Sequence, residues 1–305
     1  MKVVRTPDQI EGTNGVVLTL GNFDGIHLGH QKILKTLKER AEKTGLPSVV
    51  YTFEPHPRKV VSPEKGPPLI ITQEEKIALI EEFGIDYLLL ARFTKEFAAT
   101  HPREFVEDVL AKRLRVREVW VGHDYSFGRG REGSVEYLKE MAERLGFRVG
   151  VIPAFKKEGV IVSSSLIRRL VKEGDVKRAA TFLGRPFSLT GKVVKGEDRG
   201  TELGFPTANI EVREELLPKE GVYAGLSTIE GRRYQSVVNV GKAPTFDRKK
   251  TIVETHILDF SGIIYGKDIR VTFVDRIRDE KKFPTVEELT EQIKKDITMA
   301  RRLLG

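Results

Sequence analysis

The chain has 305 residues, room for two ordinary domains, and its 39% hydrophobic and 31% charged residues suit buried cores rather than disorder. Zero cysteines exclude disulfides, iron–sulfur ligation and thiol catalysis. MKVVRTPDQIEG lacks a signal-like apolar stretch and no run nears the ~18 apolar residues of a membrane span, so a cytoplasmic protein with no membrane partner is expected. The net charge of +8 divides into +5 over 1–183 (30 basic, 25 acidic) and +3 over 184–305 (22 basic, 19 acidic). So thin a spread, without a Lys/Arg run, argues against nucleic acid and for anionic small molecules.

Taken in chain order, the first apolar runs are VVLTL (16–20), PSVVYTF (47–53), DYLLLA (86–91), REVWVG (117–122) and FRVGVIP (147–153). Helical patterns separate them: Ile33, Leu34, Leu37 and Ala41 share one face of 30–43, and Phe105, Val106, Val109 and Leu110 follow Pro102, which suits a first helical position. Alternating β and α elements predict an α/β domain with a mostly parallel sheet, whose ligands bind beyond the carboxyl ends of its strands. The rhythm changes near Gly184. FSLTGKVV, GVYAGLSTIE, RRYQSVVNVG, TIVETHILDF and KDIRVTFVDRIR alternate as strands, and Glu230-Gly231 reads as a hairpin turn. One late helical pattern follows, with Thr285 and Glu288 at capping-box spacing and a stripe of Val286, Leu289, Ile293 and Ile297. The expectation is a domain at 1–183 and, at 184–305, a small antiparallel barrel closed by a terminal helix.

The first strand runs into GNFDGIHLGHQ. His27 and His30, three apart, project to one side of a first helical turn. Glycines at 21, 25 and 29 let backbone approach a ligand closely, and a helix N-terminus favours phosphate. Two imidazoles there donate to phosphoryl oxygens as charge builds in nucleotidyl transfer. A zinc pair is the bland alternative, but zinc wants three or four protein ligands. In VSSSLIRR (162–169), Ser163 or Ser164 caps a helix; with Ser165, and Arg168 one turn in, the cluster also makes an anion cradle. GHDYSFGRGREG (122–133) carries a formal Gly-x-Gly-x-x-Gly, yet its strand ends too early for a dinucleotide turn. It reads as a substrate loop, with Asp124 for polar recognition and Tyr125 and Phe127 for a flat ring. In TFEPHP (52–57), Pro55 and Pro57 predict an extended exit from the second strand.

GKVVKGEDRGTELGFPTANI sets Gly191, Gly196 and Gly200 ahead of GFPTAN, a Gly-rich flap able to offer backbone N–H groups to ATP phosphates without a Walker A motif. Thr207 and Asn209 alternate on a presumed strand and bring hard oxygens suited to Mg²⁺. Glu254 is polar within a strongly β segment. On that stretch alone it reads first as a solvent-facing strand residue and only second as an acceptor for a hydroxyl proton.

GNFDGIHLGHQ, TFEPHP, GHDYSFGRGREG and SSSLIR resemble the adenylyltransferase half of the prokaryotic bifunctional riboflavin kinase/FMN adenylyltransferases, or FAD synthetases. FPTANI, GVYAG, VNVGKAPTF, ETHILDF and RIRDEKKF resemble their riboflavin kinase half, in the family's order. The resemblance implies a Rossmann-like nucleotidyltransferase domain and a kinase barrel that together turn riboflavin and ATP into FMN and then FAD. It implies ATP contacts at Gly21, Asn22, Phe23 and Gly29, Mg-ATP on Thr207 and Asn209, Glu254 as base, and flavin closure at Arg276 and Phe283. Ser165 stands where the family often has Thr, and the hydroxyl is retained. No obligate protein partner is expected. One rival is a nucleotidyltransferase related to tRNA aminoacylation, since His-x-Gly-His also marks class I synthetases; its Lys-rich loop has no counterpart, VSSSLIRR having no lysine. The other is a non-catalytic flavin-binding regulator, which the intact polar sets argue against.

Overall fold

A computed structural model describes residues 1–196, 200, 203–213, 216–242 and 251–305, apart from the side chains of Lys65 and Lys242. Parts of the Gly-rich segment (197–199 and 201–202) and 243–246 of VNVGKAPTF lie outside the described residues. Two compact units form: 1–68 with 73–163, and 69–72 with 164–305.

In the first unit, β1 (Lys2–Val4), β2 (Val16–Leu20), β3 (Ser48–Glu54), β4 (Tyr87–Arg92), β5 (Val116–Gly122) and β6 (Arg148–Ile152) make one sheet. Its order is β1-β4-β3-β2-β5-β6, parallel throughout. All five residues of β2 are buried, as a parallel strand covered on both faces requires. β1 escaped the pattern reading because three residues carry no period. Around the sheet lie α1 (Leu28–Thr44), α2 (Pro57–Val61), α3 (Gln73–Glu81), α4 (Lys95–Ala98), α5 (Pro102–Glu104), a π-helical run Phe105–Arg113 and α6 (Val135–Leu145). A two-stranded hairpin, β7 (Lys156–Lys157) and β8 (Val160–Ile161), precedes the unit's end. The chain steps outward from β2 through β3 to β4, then returns to place β5 on β2's other side. The carboxyl ends of β2 and β5 therefore flank a switch point, where such sheets open a crevice. The exit from β3 differs from the expected extended path. Pro57 opens α2, a position where proline's missing N–H costs nothing, and His56 Nδ1 caps it by accepting from Arg58 N at 3.2 Å.

The second unit begins with α7 (Ser164–Glu173) and α8 (Val176–Leu183). A closed antiparallel barrel follows: β9 (Ser188–Val194), β10 (Ala208–Val212), β11 (Gly221–Ile229), β12 (Arg232–Lys242), β13 (Thr251–Ile257) and β14 (Asp268–Arg278), ordered β10-β13-β12-β11-β14-β9 with β9 back on β10. The expected hairpin is there: Glu230 (φ 49°) and Gly231 (φ 81°) both take left-handed backbone, the type I′ geometry that matches strand twist. α7 and α8 belong with the barrel because Lys219 N donates to Val171 O at 3.2 Å and the Lys177 ammonium meets Asp275 at 3.1 Å. α8 also buries Val176, Ala179, Phe182 and Leu183.

The last helix, α9 (Val286–Leu304), has Thr285 as its N-cap, accepting from Glu288 N at 3.2 Å. Its expected apolar stripe is only part of its seat, since Val286 is 57% exposed. Asp296, 3% exposed, instead receives a forked pair of hydrogen bonds from the Arg278 guanidinium. Removing one partner of a buried pair strands the other charge, so Asp296→Ala is expected to cost about 3 kcal/mol. A thermal midpoint unchanged by that substitution would show the pair to be dispensable.

Candidate functional site

β2 delivers its chain to the crevice through a tight coil. Phe23 (φ 49°), Gly25 (φ 89°) and Ile26 (φ 40°) all take left-handed backbone, and the strain at the two non-glycines is offset by burial to 1% exposure. The Phe23 ring lies across Gly21, where a Cβ would sit 3.1 Å from it. Thr52 Oγ1 donates to Asn22 O at 3.3 Å and Gln31 Nε2 to Ile26 O at 3.0 Å, so β3 and α1 both hold the coil.

His27 then caps α1, its Nδ1 accepting from His30 N at 3.3 Å. With Nδ1 the acceptor, a neutral His27 carries its hydrogen on Nε2. The His27 and His30 rings stack at 3.7 Å and 17°, and Phe23 meets His30 edge-on at 5.2 Å. Gly29 permits the stack, since a Cβ there would lie 3.1 Å from His27 Cε1. That Cβ position is also 3.6 Å from Val162 O, which sets the approach to Ser163 against the first turn of α1. Ser163 is the residue before α7, at its N-cap position; Ser164, Ser165 and Arg168 lie in the helix, within the second unit. The first unit thus brings together a helix N-terminus, glycine backbone and paired imidazoles.

Beyond β5, Tyr125 N donates to Gly122 O at 3.1 Å, and Phe127 and Gly133 exchange two 2.9 Å backbone bonds that close the 122–133 loop on itself. Two of the loop's glycines are explained by packing, since a Cβ would fall 2.6 Å from Pro102 at Gly128 and 2.8 Å from Phe127 at Gly133. Asp124 is exposed. Tyr125 stacks on Phe127 at 5.6 Å, and burial raises its phenol. Phe127 itself is 8% exposed and packs against Phe105 and Tyr137 in the core, so it supports the loop from below.

Pattern reading missed Asp24 (2% exposed) and Lys76 (5%). Burial lowers the Lys76 ammonium's pKa, and the charges of Asp24 and Glu54 oppose that shift. The NFDG motif drew the eye to its glycine and phenylalanine, and α3, which carries Lys76, has no clear apolar stripe.

In the second unit the register puts Asn209 of β10 beside Glu254 of β13, and Glu254 beside Asn239 of β12. Registered partners share a face. Because Val253 and Thr255 are fully buried, this row of Asn209, Glu254 and Asn239 lies on the outward face. Gly196 and Gly200 lie close to the same place. No Cβ fits at Gly196 against the Asn209 amide, and one at Gly200 would lie 2.5 Å from Phe205 O and 3.2 Å from Thr207 Oγ1. Gly191, by contrast, sits inside β9, pressed against the Glu211 carbonyl of β10, so it serves strand packing rather than the flap. Glu280 is a further carboxylate near this row: a Cβ on Gly241 would be 2.5 Å from Glu280 Oε1 and 3.4 Å from Asn239 Nδ2.

Among the described residues, the contacts of Arg276 and Phe283 do not bring them to that row. Arg276 donates to Glu220 O at 2.6 Å and Asp279 Oδ1 at 2.7 Å and lies over the Tyr223 ring, while Phe283 packs on Arg278 at 5.6 Å. Among the described residues no three His, Asp or Glu side chains cluster as a metal site. The neutral oxygens of Thr207 and Asn209, at a cradle that only glycine leaves open, fit a cation that keeps most of its water and takes the rest of its ligands from phosphate.

Sequence comparison finds the FAD synthetase family over residues 9–166 and the riboflavin kinase family over residues 183–304. The chain is 37% identical over 292 residues to the bifunctional riboflavin kinase/FMN adenylyltransferase of Escherichia coli K12, covering 95% of this chain and 93% of that one. To the Bacillus subtilis protein of the same name it is 38% identical, over 92% of this chain and 90% of that one. A crystal structure described as a macrolide-efflux protein from Streptococcus pneumoniae superposes with TM-score 0.89 at 33% identity, covering 98% of each chain.

Proposed function

The chain belongs to the bifunctional riboflavin kinase/FMN adenylyltransferase family, and from that premise we propose how its residues divide the two reactions. The enzyme uses ATP to phosphorylate riboflavin to FMN, and a second ATP to adenylylate FMN to FAD with release of pyrophosphate. We assign the kinase to 184–305 and the adenylyltransferase to 1–183. A cytoplasmic location suits this reading and a chain without cysteine.

In the kinase, Glu254 accepts the proton of the riboflavin 5′-hydroxyl as its oxygen attacks the γ-phosphorus of ATP, the bond to the β–γ bridging oxygen breaks and ADP leaves. Gly196 and Gly200 offer backbone to the phosphates. Thr207 and Asn209 would hold Mg²⁺, which when bound neutralises phosphate charge. The observation that carries this reading is the registered row Asn209–Glu254–Asn239, with Gly196 set against Asn209 and Gly200 against Thr207.

In the adenylyltransferase, the FMN phosphate is already an anion and attacks the α-phosphorus of ATP without a base. His27 and His30 donate to the phosphoryl oxygens at the α1 N-terminus, and Gly21, Asn22, Phe23 and Gly29 shape the ATP seat. Ser163, Ser164, Ser165 and Arg168 offer an anion cradle at the start of α7, and Asp124 and Tyr125 receive the flavin. Arg276 and Phe283 stay as candidates for flavin closure in the kinase, reached by release of their present partners.

Purified protein incubated with riboflavin, ATP and Mg²⁺, with the flavins then separated, is expected to yield FMN and FAD; recovery of riboflavin alone would end the reading. Residues 184–305 expressed alone are expected to make FMN. A 164–305 fragment, keeping α7 and α8 over β14, is expected to make it too and to melt at a higher temperature. A folded 184–305 fragment without kinase activity would tie the reaction to residues outside it.

A further inference from the structure

The strand that carries Glu254 carries a second polar side chain on the same face. His256, two residues on, places its Nδ1 2.8 Å from Pro206 O, at the root of the flap and one residue before Thr207. Its ring also meets the Phe205 ring edge-on at 5.8 Å and 83°. A carbonyl can only accept, so Nδ1 carries the hydrogen. That bond survives in both the neutral and the protonated ring. A second bond, Phe205 N to Gly200 O at 2.7 Å, closes the same arm of the segment. Pro206 has no N–H, so its carbonyl is the one main-chain group through which this residue can be tied to the barrel.

We propose that His256 is a positioning residue of the kinase, clamping the Pro206–Thr207 arm to β13 so that the ATP-binding oxygens keep a fixed distance from Glu254. The idea rests on the kinase reading above. In-line phosphoryl transfer gains most of its rate from placing donor and acceptor correctly, and a loose arm forfeits that gain even when every contacting group is intact. Residues 205–207 lie outside a regular strand until β10 begins at Ala208, so the clamp and the Phe205–Gly200 bond are ties that hold the arm carrying Thr207.

The test uses the full-length protein with three variants: His256→Leu, which removes the donor; His256→Asn, whose Nδ2 stands close to the place of Nδ1; and Thr207→Ala as a reference. Each is assayed for FMN formation over a range of ATP concentrations and for FAD formation from supplied FMN, and its thermal midpoint is recorded. His256→Leu is expected to raise the kinase KM for ATP about five- to tenfold, the scale of one lost hydrogen bond, and to lower kcat. His256→Asn is expected to return both to within about threefold of the parent, with FAD formation from FMN unchanged in all three.

Parental ATP dependence in folded His256→Leu, with Thr207→Ala impaired, would overturn the clamp alone. Parental dependence in both would overturn the flap reading on which it stands. Should His256→Leu fail to fold, His256→Asn decides: a KM raised as far as that of Thr207→Ala, at a parental thermal midpoint, overturns the clamp.

Discussion

Glu254→Gln is expected to lower FMN formation ~100- to 10,000-fold while FAD formation from supplied FMN proceeds at the parental rate. The amide keeps the volume of the carboxylate and can still accept a hydrogen bond, but it cannot take the proton of the attacking hydroxyl. Turnover does not vanish, because phosphoryl transfer depends chiefly on positioning and electrostatics, which Thr207, Asn209 and the flap still supply. The change is isosteric on an outward-facing strand position, between Asn209 and Asn239, so the barrel should fold normally. Both reactions are measured on one preparation. Normal kinase activity would move the base elsewhere. Asp259 is poorly placed to take the role, because it lies past the end of β13 and is paired with Arg301 at 2.8 Å, which holds its carboxyl below the usual range. Loss of FAD formation from FMN would mean that the two reactions share a site.

His30→Ala is expected to have the reciprocal effect: FAD formation falls ~100-fold or more, about the loss of one strong transition-state donor, and FMN formation stays near normal. The structure sharpens the expectation, because His30 does two things. It presents an imidazole at the N-terminus of α1, and it stacks on His27 at 3.7 Å, fixing the ring whose Nδ1 caps the helix. Alanine keeps the backbone N–H that His27 accepts from, so the cap remains while the stack is lost. Comparing KM for ATP with kcat separates the two roles: a lost donor lowers kcat, whereas a tilted His27 weakens binding as well. Equal loss of both activities in a folded variant would refute the division of labour between the units.

Where local signals are strong, sequence and structure coincide. Five strands of the parallel sheet, the Glu230-Gly231 hairpin, the Thr285 cap and the barrel strands all stand where alternation, turn chemistry and capping put them. The differences have physical causes. Phe127 reads as a side chain for recognising a flat ring because it lies in a glycine-rich loop, yet that loop folds back through Gly133 and buries it. Arg276 looks available to a ligand until β14 pairs with β11 and sets it beside Tyr223. Asp296 is one more charge on an amphipathic helix until Arg278 meets it from β14.

From the sequence alone come the two architectures, the order of the motifs and the residue types at both sites, because periodicity, glycine freedom and capping act over a few residues. Only the tertiary structure decides that Asn239 and Asn209 flank Glu254, that His256 holds Pro206, that Lys76 lies buried within reach of Asp24, and that Ser164–Leu183 packs with the barrel. Those outcomes depend on strand register and burial between segments far apart in the chain, and no local pattern encodes which distant partner a strand will take.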